Sequence, residues 1–419
     1  MQKDLRRLML DPKLVPYEKQ DLLARVAAQA AALDMACYLV GVSVRDLLIE
    51  KPVKDIDIVV EGDTVGLGEA LVKELGGKFV SHRKFLTATW SYKETDSLDL
   101  TQARSELYKS PGALPTVTPA PIEKDLLRRD FTINAMAVRL DAGQPGDLLD
   151  PMHGEDDLAA GLIRVLHPRS FLDDPTRAIR AIRYQQRFGF RIEAATLKTI
   201  NQEVLTVLSK MSGERIRHEL DLIFAEEKSA AMMQALNEFG LLKELEPAPP
   251  ELNQRYVGLL DASPDEGLAL PGDRVMLGYL LWLIDSKPAQ VTSLSKRLDF
   301  TSELTKTSIA AIELKNDLPE LRQNKPSVWT FRLERVPLMA IYATWLVAGE
   351  AALREFLAKW RHVRPQTRGD DLKALGIPAG PRYKEILAHL RAAWLDGEVT
   401  SPDDENSLLK ELVDSDKAP

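Results

Sequence analysis

Cysteine occurs once in the 419-residue chain, as Cys37, so no internal disulfide can brace the fold. Histidine is also scarce. His82, His153, His167, His218, His362 and His389 are scattered without metal-ligand spacing, and none pairs with Cys37 as nucleophile and base, so none is given a catalytic role. No apolar run approaches the ~20 residues a membrane span requires, and the opening MQKDLRRLMLDPKLVPYEKQ lacks the unbroken apolar core of a secretion signal. These absences lead to the expectation of a soluble protein in a reducing cytoplasm, without a membrane partner.

A positive charge balance is missing too. The formal net charge of -8 argues at first against a nucleic-acid partner, because phosphate contacts normally supply most of that affinity. The distribution qualifies this. Between Gly161 and Leu220, eleven Lys and Arg residues face six Asp and Glu residues. Such a run is often only a solvated helix face, but this one is rich in arginine and directly follows the stretch where the chemistry concentrates.

Hydrophobic residues at 45% and charged residues at 28% are ordinary for a globular protein, and the length exceeds what one core usually organises, so two to four domains are expected. Up to about residue 150 the periods are mixed. KQDLLARVAAQAAALD (19–34) has helical spacing, DIDIVV, FLTATWSY and SLDLTQA read as strands, and DFTINAMAVRL is a further apolar run. DAGQPGDLLDP then reads as a turn-rich exit. This predicts an α+β domain over 1–150. Beyond it nearly every segment is helical, with Pro-rich breaks at EPAPPELNQ and ASPDEGLALPGD that divide the remainder into 151–245 and 246–419. The acidic C-terminal stretch is expected to fray at its end.

In DIDIVVEGD, alternation along a strand predicts Asp55 and Asp57 on one side, with Ile56 and Ile58 facing the core. Two carboxylates this close repel unless a cation lies between them. Hard divalent metals prefer oxygen ligands, and paired metals ~3.5–4 Å apart are a recurrent device for displacement at phosphorus. Asp99 in SLDLTQA is the natural third carboxylate, from a neighbouring strand. Upstream, VGVSVRDLL turns at Gly41 and Ser43 into a short helix whose first N–H groups suit an anion such as a triphosphate. Arg45 serves either as scaffold beside Asp46 or as a phosphate contact.

Taken in order, VGVSVRDLL, DIDIVVEGD, DLLRRDFTINAMAV, LLDPMHGEDDLAAGLIRVLHPRSFLDDPTRAIRAIRYQQRFGF and SGERIRHEL resemble the bacterial tRNA nucleotidyltransferase and poly(A) polymerase family of the polymerase-beta superfamily, over residues 22 to 225. GDDLKALGIPAGPRYKEILAHLRAAWLDGEVTS resembles the C-terminal part of bacterial members. The resemblance implies a polymerase-beta-like nucleotidyltransferase head followed by an all-α neck, body and tail, the last two holding the acceptor end of tRNA. It implies that Asp55 and Asp57 bind two Mg2+ ions, and that an RNA 3'-hydroxyl attacks the α-phosphate of CTP or ATP with pyrophosphate leaving. By the resemblance Arg128, Arg129, Asp130 and Asn134 in RRDFTINAMA support ribose and nucleotide binding, the local alternative being a strand or helix-start cap. Val42 departs from the family's usual small residue after Gly41, which raises the question of whether the turn keeps its geometry.

The resemblance also places Asp174 and Arg177 in FLDDPTRAIRAIR as a nucleotide-selecting pair. Cytosine and adenine both present an amino donor beside a ring-nitrogen acceptor. A carboxylate and a guanidinium at i and i+3 therefore accept C and A and refuse U and G. Arg180 and Arg183 extend that face, either toward triphosphate or RNA backbone or as packing of the helical neck. Glu214, Arg215 and Glu219 in SGERIRHEL are expected to cap and stabilise the neck. The segment between Asp99 and Arg128 is long enough to keep a flexible loop that CC-only members are expected to lack, and the acidic C-terminal stretch is unlike the basic extension of poly(A) polymerases. A CCA-adding enzyme is the leading expectation, with A-adding or CC-adding specialists and a catalytically impaired tRNA-binding protein as alternatives.

Overall fold

The computed structural model describes residues 4–92, 97–141, 146–246, 248–262, 268–269 and 272–414. The turn residues 142–145, most of the break at 262–273 and the expected frayed end at 415–419 lie outside the described residues. The chain divides into two compact units, one of residues 1–215 with 239–244, the other of 216–238 with 245–419.

Up to residue 150 the described residues of the first unit carry nine strands: β1 (Ala36–Val40), β2 (Asp57–Glu61), β3 (Lys78–His82), β4 (Thr87–Ser91), β5 (Ser97–Gln102), β6 (Arg104–Leu107), β7 (Thr116–Pro119), β8 (Ala137–Arg139) and β9 (Leu148–Leu149). Seven form one sheet in the order β3-β4-β5-β2-β1-β8-β9. Within it β2 and β5 are parallel, while β1 is antiparallel to β2 and to β8. Helices cover both faces, so the central strands are apolar on both sides, as buried strands must be. Ile122 and Leu126 pack with Tyr38, Val40 and Val59 on one face. Leu39, Ile58, Val60, Leu67, Trp90 and Leu100 are buried elsewhere in the unit's core, each no more than 1% exposed.

Three details differ from expectation. The strand begins at Asp57, so Asp55 stands in the bend before it and Ile56 is only half-buried. The segment after Asp99 that reads as a flexible loop is largely an antiparallel hairpin, β6 against β7, followed by a helix at Ile122–Leu127. Its short arms carry too little apolar alternation to register as strands, although the β-branched Thr116, Val117 and Thr118 favour one. Beyond residue 150 two further short strands, Leu162–Ile163 and Arg191–Ile192, pair in parallel.

The second unit is helical throughout its described residues. The helix Leu338–Ala348 carries no charged residue and buries Met339 to Thr344, which makes it a central element of that unit. The last three helices, Gly369–Ala374, Pro381–Leu395 and Pro402–Asp414, share a small core of Leu372, Ile386, Leu390 and Leu409. A core this small needs polar reinforcement. Glu405, 2% exposed, accepts from the amides of Gln366 (3.0 Å) and Thr367 (2.7 Å), the Thr367 hydroxyl and the Trp394 indole. Burial acts to raise the pKa of its carboxyl, but the hydrogen bonds from Thr367, Gln366 and Trp394 outweigh it and leave the value lowered. A lowered carboxyl adds stability above the unfolded value near 4.3 and loses it as pH falls through the folded value. Glu405→Gln is therefore expected to destabilise this end by about 1–3 kcal/mol at pH 7, with the difference closing in acid. Thermal melts of both proteins from pH 7 to pH 3 check it.

Candidate active site

Asp57 is the first residue of β2 and pairs in register with Asp99 on the adjacent parallel strand β5. Parallel neighbours in register present their side chains to the same face, so both carboxylates stand together on one face of the sheet, on its interior strands β2 and β5. Asp99 is steadied by the Thr89 hydroxyl at 2.8 Å. Asp55 joins them from the bend, and Ser43 fixes that bend by donating its hydroxyl to the Asp55 carbonyl at 2.7 Å. Burial raises the pKa of Asp57, Arg129 opposes this, and Asp99 and Asp55 push it further up, for a net rise. The mutual repulsion of these carboxylates, seen in the one raised pKa, is what a nearby divalent cation would relieve. Among the described residues no group of three or more His, Cys, Asp or Glu is placed so that it could hold a metal ion, so the three carboxylates do not converge on one point. The open, all-oxygen arrangement instead suits an ion whose shell is completed by phosphate oxygens and water.

Gly41 closes β1 with φ +66° and the helix Val42–Leu48 follows. The positive φ falls on Gly41 and not on Val42, so the branched residue sits in ordinary helical conformation and leaves the turn intact. A Cβ at position 41 would lie 2.5 Å from Nη1 of Arg129. Arg129 thus lies directly against the turn, tied to buried Asp125 at 3.1 Å. A seven-residue helix offers little macrodipole, so this guanidinium is the stronger attraction for an anion at the turn. Ser43, 1% exposed, braces Asp55 in place of the expected phosphate contact.

Four of the expected nucleotide-binding residues form an internal network. Arg45 is fully buried, forks onto Asp46 (3.0 and 2.8 Å), reaches the Asn134 side-chain oxygen at 2.8 Å and lies 4.6 Å from the ring centre of Phe188. Asn134 donates to Asp130 at 2.9 Å, and Asp130 takes a fork from Arg180 at 2.9 and 2.7 Å. Burial works to raise the pKa of Asp130, but Arg180, Asn134 and Arg177 hold it at about 2. These contacts tie the turn helix, the RRDFTIN segment and the helix Thr176–Phe188 into one body. Arg183 is buried on the same helix with its guanidinium over the Tyr184 ring. In this arrangement Arg45 is scaffold, the first of its two readings.

Arg177 donates to the Ser170 hydroxyl at 2.8 Å and to the Arg128 carbonyl at 2.7 Å. It lines a cavity of about 220 Å3 with Glu106, Tyr108, Arg128, His167 and Asp173. Asp174 is not in that lining. Its Oδ1 accepts from the Thr176 amide (3.1 Å) and hydroxyl (2.6 Å) and pairs with Arg215 at 2.8 Å, while Oδ2 has no partner among the described residues. Arg215 also donates to the Gly112 carbonyl at 3.0 Å, so it links Asp174 to the hairpin turn as well as serving the neck. Asp125, Glu106, Tyr108, His167 and Ser170 escape a reading by motif. They come from separate elements, and only Asp125, three and four residues before Arg128 and Arg129, leaves a helical-spacing signal.

A mixed sheet carrying two carboxylates in register, a third beside them, and a glycine turn under an arginine defines the head of a nucleotidyltransferase. The sequence matches the poly A polymerase head domain over residues 37–164 and the probable RNA and SrmB-binding site of polymerase A over 189–253. It is 33% identical over 405 residues to the A-adding tRNA nucleotidyltransferase of Halalkalibacterium halodurans, covering 93% of this chain and 92% of that one. It is 30% identical over 387 residues to the CC-adding tRNA nucleotidyltransferase of Deinococcus radiodurans, covering 91% of each. Among solved structures, the Thermotoga maritima CCA-adding enzyme complexed with tRNA superposes with a TM-score of 0.76 at 28% identity, over 99% of this chain and 100% of that one. The chain belongs to the tRNA nucleotidyltransferase family and is an enzyme. No described helix is long and apolar enough to cross a membrane.

Proposed function

We propose that this enzyme transfers AMP from ATP to the 3' end of a tRNA that already carries CC, releasing pyrophosphate. The observation that carries nucleotidyl transfer is the register of Asp57 against Asp99, with Asp55 beside them and Arg129 over the Gly41 turn. The restriction to A rests on similarity to an A-adding relative over almost the whole of both chains; the segment around the hairpin 104–119, long enough to keep a loop that CC-only members are expected to lack, speaks against CC addition alone. Complete CCA addition is the broader alternative.

Enzymes of this family generally use divalent metal ions. In the proposal Asp55 and Asp57 hold two Mg2+ ions, with Asp99 completing the acidic face. Bound there, such ions lower the pKa of the RNA 3'-hydroxyl and neutralise charge on the phosphate oxygens. Arg129 holds the triphosphate against the Gly41 turn. Arg128 and Arg177 face the base, and the network of Arg45, Asp130, Asn134, Arg180 and Arg183 keeps turn and selecting helix in register. The assignment of 1–150 as catalytic head, 151–245 as neck and 246–419 as tRNA-binding body and tail belongs to the same proposal. It is supported by a groove of about 610 Å3 in the second unit lined by Arg364, Arg368, Lys384 and Arg391, cations suited to an RNA backbone.

Purified protein with Mg2+ is given tRNA transcripts ending at the discriminator base, at C and at CC, together with CTP, ATP or both. Extension of the CC-ended transcript alone, and by ATP alone, is the expected result. Ordered addition of C and then A would replace the proposal with full CCA synthesis, and no extension of any transcript would overturn the transfer reading.

Selection by protein hydrogen bonds makes a further prediction. Asp174→Asn retains an acceptor for Thr176 but turns one carboxylate oxygen into a donor. Incorporation of U or G relative to A is expected to rise about tenfold or more, with the KM for tRNA unchanged, as read from competition among the four nucleotides. An unchanged preference in Asp174→Asn with a changed one in Asp173→Asn would move the role to the carboxylate that lines the cavity.

A further inference from the structure

The cavity beside Arg177 holds more chemistry than a selecting pair. Its volume of about 220 Å3 suits one ring system and is too small for a whole nucleoside triphosphate. Most of its polar wall is already engaged. Glu106 accepts from Arg128 at 3.0 Å and from the Tyr108 hydroxyl at 3.0 Å, and Arg177 is held by Ser170 and the Arg128 carbonyl. Exposed Lys124 aside, His167 is the exception. Its half-buried imidazole lines the cavity without a hydrogen-bond partner among the described residues.

The backbone around His167 is fixed. Its carbonyl accepts the Ser170 amide at 3.1 Å, opening the turn that seats Ser170, the residue that holds Arg177. One turn therefore sets both the imidazole and the guanidinium. Burial, then the charge of Arg177, lower the imidazole pKa; Asp173 opposes them, Arg169 adds to them, and the net direction is down. The ring is thus neutral at physiological pH, with one nitrogen a donor and the other an acceptor. A neutral donor and acceptor on a flat ring, placed beside a fixed guanidinium in a space of one ring system, match the edge of a nucleobase.

We propose that His167 contacts the incoming base and is a specificity-determining residue of this enzyme. The proposal rests on the nucleotidyl-transfer reading. It gives a function to a histidine that sequence spacing leaves without one, and it explains why a polar ring in a largely engaged wall is left without a partner.

His167→Ala and His167→Gln are compared with the wild-type enzyme on CC-ended tRNA. The alanine variant is expected to raise the KM for ATP about tenfold, the equivalent of one lost hydrogen bond. Its kcat should stay within about twofold, with the KM for tRNA and the melting temperature unchanged. Glutamine, which keeps a donor and an acceptor, is expected to restore most of the affinity. An unchanged KM for ATP in the alanine variant overturns the proposal. So does a fall in kcat and melting temperature with no selective effect on ATP, because that pattern marks a structural histidine. Calorimetric binding of ATP to the three proteins without RNA separates this failure from that of the transfer reading. A wild type that binds ATP more tightly than His167→Ala sustains the contact even where no transfer is seen, and equal or absent binding removes it.

Discussion

Asp57→Asn is expected to abolish nucleotide incorporation while leaving the protein at least as stable as the wild type. The two effects share a cause. Asp57 carries a raised pKa because it is buried and faces Asp99 and Asp55, with only Arg129 acting to lower it. A carboxyl whose folded pKa is raised costs stability above its unfolded value, so removing the charge at pH 7 relieves strain that protonation relieves in acid. The melting temperature of the variant should therefore equal or exceed that of the wild type at pH 7, and the gap should close near pH 4. Rate moves the other way. Loss of a charge that organises the reacting phosphate is expected to cost about a hundred- to a thousandfold or more in kcat, measured by labelled nucleotide incorporation. A third readout is independent of turnover: Mg2+ should raise the melting temperature of the wild type and leave that of Asp57→Asn unmoved. Turnover retained by the variant, or an equal response of both proteins to Mg2+, would remove Asp57 from the metal-holding role.

This site was partly legible because its chemistry coincides with local pattern. Asp57 opens the apolar run Ile58 to Val60 and Asp99 stands between Leu98 and Leu100, so pattern alone places both on strands, and Gly41 announces its turn by composition. Asp55 shows the limit of the same argument. Alternation gives it the same face as Asp57, but the strand starts two residues later, and the bend is held by a Ser43 hydrogen bond that no periodicity encodes. The arms of the hairpin 104–119 leave no strand signal because they are only four residues each and only partly apolar. The base cavity was the least legible part. Glu106, Tyr108, His167, Ser170 and Arg177 meet only after the hairpin has packed against the segment 167–177, and a lone histidine about 60 residues from Glu106 and Tyr108 looks like any other. Arg215 resembled a cap for the same reason, since its partners, Asp174 and Gly112, lie 41 and 103 residues away.

Arg45 gives the largest expected stability effect. It is the third largest of the fully buried side chains, forked onto Asp46, bonded to Asn134 and stacked on Phe188. Truncation to methionine keeps much of the apolar stem but leaves the Asp46 carboxylate and the Asn134 oxygen without their donor. Breaking a buried pair from one side typically costs about 3–5 kcal/mol, which in a unit of this size lowers the melting temperature by about 10 °C. Lysine should not rescue it, because an ammonium cannot fork onto Asp46 while reaching Asn134 and lying flat on Phe188. The outcome separates the two readings of this residue. A scaffold role predicts a large stability loss for both Arg45→Met and Arg45→Lys, with the KM for ATP changing only as the fold loosens near the melting temperature. A phosphate contact predicts the reverse: a raised KM well below the melting temperature, a small stability change, and partial rescue by lysine, which keeps the charge. The full burial of Arg45 and its occupied donors select the first outcome, and with it a division of labour in which the arginine at position 129, against the open turn, takes the phosphate while the arginine at position 45 holds the turn in place.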